Sequence, residues 1–206
     1  MPINRRQFLV YTLFLPASSS MANMPAQEEP DLIATLISRA HVPRFTDEVW
    51  VLVDDQEATL SVYQGSKRLA HYAPVSLGRS GAETQRVRGS NVTPKGEFRI
   101  NRFNYESRWH IFVGIDYPTP AHARMALRTG VYTDQDYEEY FAYYRQHGSP
   151  PQDTVLGGAI GIHGLGGADP DIHEQFHWTQ GCVALTNAQI ERFSQLIDIG
   201  TRVVIR

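Results

Sequence analysis

From Glu48 onward the apolar positions of the chain fall into short runs with the alternation and residue types of strands. "EVWVLVD" and "ATLSVYQ" are rich in β-branched and aromatic residues, and Asp55-Gln56-Glu57 between them reads as a tight turn, so a hairpin is expected. "LAHYAPVSL" carries the same character on to Gly78. A polar loop, Gly78 to Asn91, then precedes "TPKGEFRINRF", where a Pro-Lys-Gly turn leads into a strand. "WHIFVGI", "AIGIHG" and "GTRVVIR" complete the strand set. Three segments switch to helical spacing. In Pro30 to Ala40 the apolar face is Leu32, Ile33, Leu36 and Ile37. In "TDQDYEEYFAYYRQHG", Thr133 and Asp136 form a capping box and Gly148 closes the helix. Its stripe of Tyr137, Tyr140, Phe141 and Tyr144 is expected to pack in the core. In "TNAQIERFSQLI" the inward face is Ile190, Phe193, Leu196 and Ile197. The fold class is therefore α+β and β-rich, in one domain beginning near residue 46. A helical insertion near residues 116–150 interrupts the β pattern and is placed to roof a cleft.

The first residues follow a different logic. "MPINRRQFLVYTLFLPASSSMANMPAQ" runs from a basic start through a short apolar stretch, Phe8 to Pro16, into small residues. That is the order of a secretory signal, and the apolar run is too short to span a bilayer. "NRRQFLV" also resembles a twin-arginine signal, with Asn4 where Ser or Thr is commoner. Cleavage after Ala22 or Ala26 satisfies the small-x-small rule. The expected organisation is a signal over residues 1–26, a helix and linker over 27–45 and the domain over 46–206. The expected location is the periplasm or cell envelope. Composition changes little in this picture: 42% hydrophobic, 20% charged and a net charge of -3 carry none of the basic excess of nucleic-acid-binding domains.

Candidate chemistry concentrates in "HEQFHWTQGCVAL". His173, Glu174 and His177 spell H-E-x-x-H, which on a helix is a zinc-protease motif. It requires about two uninterrupted turns and a third ligand. Pro170 and the Thr-Gln-Gly that follows Trp178 leave little room for either, and no metal or other cofactor is expected. Cys182, the single cysteine, is the second candidate. An unpaired cysteine in an exported chain reads as a reactive thiol or an intermolecular bridge. Its position after Gly181, in a polar stretch, argues against a merely buried apolar role. A thiol nucleophile needs a base, and His163 in "IGIHG" stands at the end of a strand beside a permissive glycine. Proximity of the two would favour an imidazolium–thiolate pair.

"TPKGEFRI", "IHG" and "WTQGCVAL", in that order, resemble the L,D-transpeptidase catalytic domain (the YkuD fold), over roughly residues 46 to 206. The resemblance implies a mixed β-sandwich with a few helices. It also implies an enclosed cysteine that attacks a peptidoglycan stem tetrapeptide, expels the terminal D-Ala and passes the acyl group to an amine. Carried onto this chain, Cys182 is the nucleophile and His163 the general base, then acid. Gly181 and Cys182 supply oxyanion N–H groups, and Thr179 shapes the loop. His177 remains as a rival orienting group or a solvated loop histidine, while His173 and Glu174 read as loop surface. Many members carry Arg two residues after the nucleophile, where this chain has Ala184. Arg79, Arg124 and Arg128 are the candidates to replace that charge. The partners implied are stem peptides and a wall-linked protein as acceptor or substrate. Water as acceptor, giving a carboxypeptidase or amidase, and a non-catalytic peptidoglycan-binding module remain open.

Overall fold

The computed structural model describes residues 31–206. The signal read over residues 1–26 lies outside the described residues. Helix α1 (Leu32–Ala40) is started by Asp31, whose carboxylate accepts from the backbone N–H groups of Ile33 and Ala34. The expected hairpin forms as β1 (Val49–Asp54) and β2 (Thr59–Gln64), and β3 (Lys67–Tyr72) adds to it. Then come β4 (Ala82–Glu83), β5 (Thr93–Pro94), the long β6 (Gly96–Ser107) and β7 (His110–Ile115). Helices α2 (Pro120–Arg128) and α3 (Asp134–His147) precede β8 (Gly161–His163). The chain ends with α4 (Pro170–Gln175), β9 (Val183–Ala184), α5 (Asn187–Ser194) and β10 (Arg202–Ile205).

Eight strands make one mixed sheet in the order β3-β2-β1-β10-β6-β7-β8-β9. β1 pairs in parallel with β10, so the last strand of the chain sits at the centre. All four residues of β10 are buried, as a strand covered on both faces must be. β6 does two jobs: Gly96 to Arg99 pairs with β10, and Ile100 to Ser107 pairs with β7. Register irregularities between Ile100 and Arg102 and between Asn104 and Ser107 bend it, so the two halves of the sheet curve around one core. Val51, Leu60, Val62 and Val203 from one half meet Val113, Ile162 and Val183 from the other in that core. The opposite face of β1 and β10 carries Trp50 and Val204, which α1 covers with Ala40. The linker is tied down as well. Arg202 is fully buried, binds the Glu48 carboxylate at 2.8 and 2.9 Å, and donates to the carbonyls of Ala40 and Val42.

Two expectations change. "LAHYAPVSL" is not one strand: β3 stops at Tyr72, because Pro74 has no N–H to continue the ladder. Past it, Ser76 bridges to Ala184 and Gly78 to Thr179, so this segment joins the far edge of the sheet. The insertion holds two helices where the sequence pattern suggested one. Pro120 at the first turn starts α2, which buries His122, Ala123, Met125 and Ala126. The aromatic stripe of α3 packs inward as expected. Tyr140 is buried and donates to the Pro118 carbonyl at 2.7 Å, with Tyr137, Phe141 and Tyr144 against the core around it. Among the described residues, no helix is long and apolar enough to cross a membrane.

Candidate active site

β8 and β9 are parallel neighbours, with Ile162 opposite Val183 and His163 opposite Ala184. That register carries His163, at the end of one strand, and Cys182, just before the other, into the wall of a single cavity of about 570 Å³. Trp109, Phe112 and Trp178 form its apolar sides, while Arg79, Arg86 and Arg108 supply positive charge. The volume is in the usual range of a small-ligand site.

The turn before the cysteine is built by Thr179 and Gly181. The Thr179 hydroxyl donates to the Cys182 carbonyl at 2.7 Å and accepts from the Gly181 N–H at 3.1 Å. Gly181 has φ +125°, and a Cβ there would stand 2.6 Å from the Val92 carbonyl oxygen. Only glycine fits. This bonding revises one expectation: the Gly181 N–H is consumed inside the turn by Thr179. The Cys182 N–H takes no part in it and is left as the donor the turn offers to an oxyanion.

His163 is 3% exposed. Its ring stacks on Trp109 at 5.0 Å, lies near-parallel to Phe112 and meets Trp178 edge-on. Nδ1 donates to the Gly164 carbonyl at 2.7 Å, which leaves Nε2 as the acceptor. Burial lowers its pKa to about 4, more than the Gly164 carbonyl raises it, and the nearby Arg108 charge adds to the fall. Cys182 is partly exposed through the cavity and donates weakly to the Ala159 carbonyl at 3.7 Å. Burial pushes its thiol up, against the opposing pull of the Gly161 backbone, Arg86 and Arg102. Cys182 and His163 are not hydrogen-bonded to each other. At neutral pH both groups are therefore neutral, and the imidazolium–thiolate pair expected from their proximity does not form at rest. The cause is desolvation, which penalises both charged forms at once.

The metal motif dissolves in three dimensions. α4 ends at Gln175, so His173 lies on the helix and His177 beyond it, and the two imidazoles do not share a helical face. His177 is exposed, and its Nδ1 accepts from the Leu77 N–H at 3.1 Å. His173 is not loop surface, as the polar setting suggested. It is buried, its carbonyl accepts from Ser76, and Trp178 donates to its ring at 3.5 Å. Glu174 is exposed as expected. Among the described residues no group of three or more His, Cys, Asp or Glu is disposed to hold a metal ion.

Of the arginines considered for the charge missing at Ala184, only Arg79 reaches the cavity. Arg124 lies over the Phe141 ring on α3 and Arg128 closes α2. Arg86 and Arg108 were not foreseeable. Nothing in "AETQRVRGSN" separates Arg86 from Arg88, which faces outward to Asp153.

With this geometry in place, the family is clear: the L,D-transpeptidase catalytic domain (YkuD) model matches residues 48–205, and the chain belongs to that family. The fold is similar to that of Bd1075 from Bdellovibrio bacteriovorus, at TM-score 0.51 and 16% identity over 80% of this chain and 50% of that one. It is likewise similar to the helical cell shape determining protein Pgp2 from Campylobacter jejuni, at TM-score 0.52 and 19% identity over 84% of this chain and 54% of that one. The chain thus spans about half the length of these solved structures. No curated protein sequence matches it.

Proposed function

We propose that this chain is an exported L,D-transpeptidase of the cell envelope, acting on peptidoglycan stem peptides through Cys182. One observation carries the reading: a single aromatic-walled cavity holds a thiol, a neutral imidazole whose Nε2 is an acceptor, and an uncommitted N–H beside the thiol. In the forward step the Cys182 proton passes to His163 Nε2 as Sγ attacks the carbonyl carbon of the stem peptide. The Cys182 N–H faces the oxyanion that develops, a donor whose removal elsewhere costs about a hundredfold or more. Collapse breaks the bond to the terminal D-Ala, whose nitrogen takes the proton back from His163, and a thioester remains. An amine acceptor on another stem or a wall-linked protein then attacks the thioester with His163 taking its proton. Collapse breaks the C–S bond and expels the Cys182 sulfur, which recovers the proton from His163. Residues 1–26 supply the export signal in this reading.

The test is incubation of the purified enzyme with muropeptides, with and without an amine acceptor, read by mass spectrometry. Loss of D-Ala together with a cross-linked product is expected, and Cys182→Ala should abolish both. Hydrolysis alone, with acceptor present, would make the enzyme a carboxypeptidase or amidase. Binding without turnover would reduce it to a recognition module, and activity that survives Cys182→Ala would refute the cysteine chemistry.

A further inference from the structure

Arg86 is the least expected group in this molecule. It lies in the segment between β4 and β5, only 6% exposed, with its head turned inward. A buried cation ordinarily has a carboxylate beside it, because removing a charge from water is costly. Arg86 has none: the ion pairs among the described residues all belong to other cations. Its guanidinium is held by backbone carbonyls from three separate segments. Nε donates to Val92 at 3.0 Å, Nη1 to Leu156 at 2.5 Å and Nη2, more weakly, to Gln180 at 3.4 Å. Carbonyl dipoles orient the head and leave its net charge uncancelled.

The space it occupies is carved by two glycines with positive φ. A Cβ on Gly157 would stand 2.5 Å from Nη1, and one on Gly181 would stand 3.1 Å from Nε. The guanidinium thus lies directly against the turn that presents the cysteine. Arg86 also lines the cavity wall beside Cys182.

We propose that Arg86 is the positioning residue of the nucleophile: a fixed, buried cation that holds the Gln180–Gly181–Cys182 turn and serves the Cys182 thiolate as counter-ion. The proposal rests on the reading of Cys182 as the reactive group. Other charged or titratable groups face the thiol. Arg102 on β6 covers the Phe112 ring and is less buried, Arg79 and Arg108 stand exposed at the cavity mouth, and His163 on β8 is neutral. Solvent screens the exposed arginines, whereas Arg86, only 6% exposed, is screened far less. A guanidinium suits the task because it stays charged when buried and its planar fork donates to three fixed carbonyls. Arg86 fills the electrostatic role left open at Ala184 from a different part of the chain.

The experiment is the pH profile of Cys182 alkylation by iodoacetamide, with circular dichroism to confirm folding. Arg86→Met should raise the apparent thiol pKa by about one unit and slow alkylation near neutral pH about tenfold. Arg79→Met should leave the profile where it is. An unchanged profile in folded Arg86→Met overturns the proposal. If Arg86→Met fails to fold, the test moves to the wild-type Arg86 background, comparing Cys182→Asp with Cys182→Asn. An anion at this position should melt higher than the neutral amide at pH 7 and lose that advantage once the carboxylate is protonated. Equal or reversed melting temperatures overturn the proposal, as does an advantage that disappears in Arg102→Met. None of these readouts uses peptidoglycan. Failure of muropeptide turnover would refute the proposed activity and leave the result on Arg86 standing.

Discussion

At the scale of single residues, the state of the Cys182–His163 pair decides how the site works. Burial pushes the thiol up and the imidazole down to about 4, so the resting pair is neutral, and in the proposed mechanism the proton moves only during attack. Under the proposed mechanism His163 is a base in the transition state and contributes little to thiolate at rest. His163→Ala should therefore cut muropeptide turnover about a hundredfold or more while barely moving the pH profile of iodoacetamide alkylation. A thiol titration that shifts upward in this variant would restore the ion pair. The sign with pH follows from the same burial: His163 is a competent base above about 4, and turnover should fall as pH drops through that value. His177→Ala should leave the profile alone, since the Nδ1 of that ring is occupied by the Leu77 N–H.

At the scale of elements, the insertion between β7 and β8 is held by a few polar contacts within an aromatic packing. Tyr140 on α3 donates to the Pro118 carbonyl, and Gln152 after α3 donates to the Tyr117 carbonyl at 3.0 Å. These bonds fix the path that leads into "LGGAIGIH" and so the start of β8. Tyr140→Phe keeps the ring and removes the donor, leaving a buried carbonyl without its partner. We expect a loss of about 1–3 kcal/mol in urea unfolding, with turnover per folded molecule close to wild type. A loss near zero would mean that water or a neighbouring donor reaches the Pro118 carbonyl. The helix itself was legible, because a capping box, an aromatic stripe at helical spacing and a closing glycine all agree. α2 was not, since its inward face is two alanines, Met125 and a histidine that only the core identifies as inward.

At the scale of the whole molecule, buried imidazoles link folding to pH. His122 is buried with Nδ1 accepting from Thr119 and Nε2 donating to the Lys95 carbonyl, and burial lowers it from 6.5 to about 4. His163 is lowered over the same range by the same cause, and burial lowers His173 as well. In the interval from about 6.5 down to about 4 the unfolded chain binds protons that the folded chain refuses. Stability is therefore full above that interval and is lost as pH falls through it, by up to about 1.4 kcal/mol per pH unit for each imidazole. Asp116, raised by burial, works in the opposite sense and moderates the slope. Urea unfolding across this range should show that decline, and a flat profile would contradict the buried neutral imidazoles. The sequence by itself determined the strands and capped helices, the α+β class and the glycine-cysteine turn. Each of these is written in nearest neighbours: side-chain alternation, caps and the room a glycine leaves. Only the tertiary structure decided what depends on distant segments meeting. It moved the segment after Pro74 to the far sheet edge, separated His173 from His177, spent the Gly181 N–H on Thr179 and set Arg86 against the cysteine turn. Charge and solvation are properties of an enclosed place, and that place exists only once β8, β9 and the segment between β4 and β5 have closed around it.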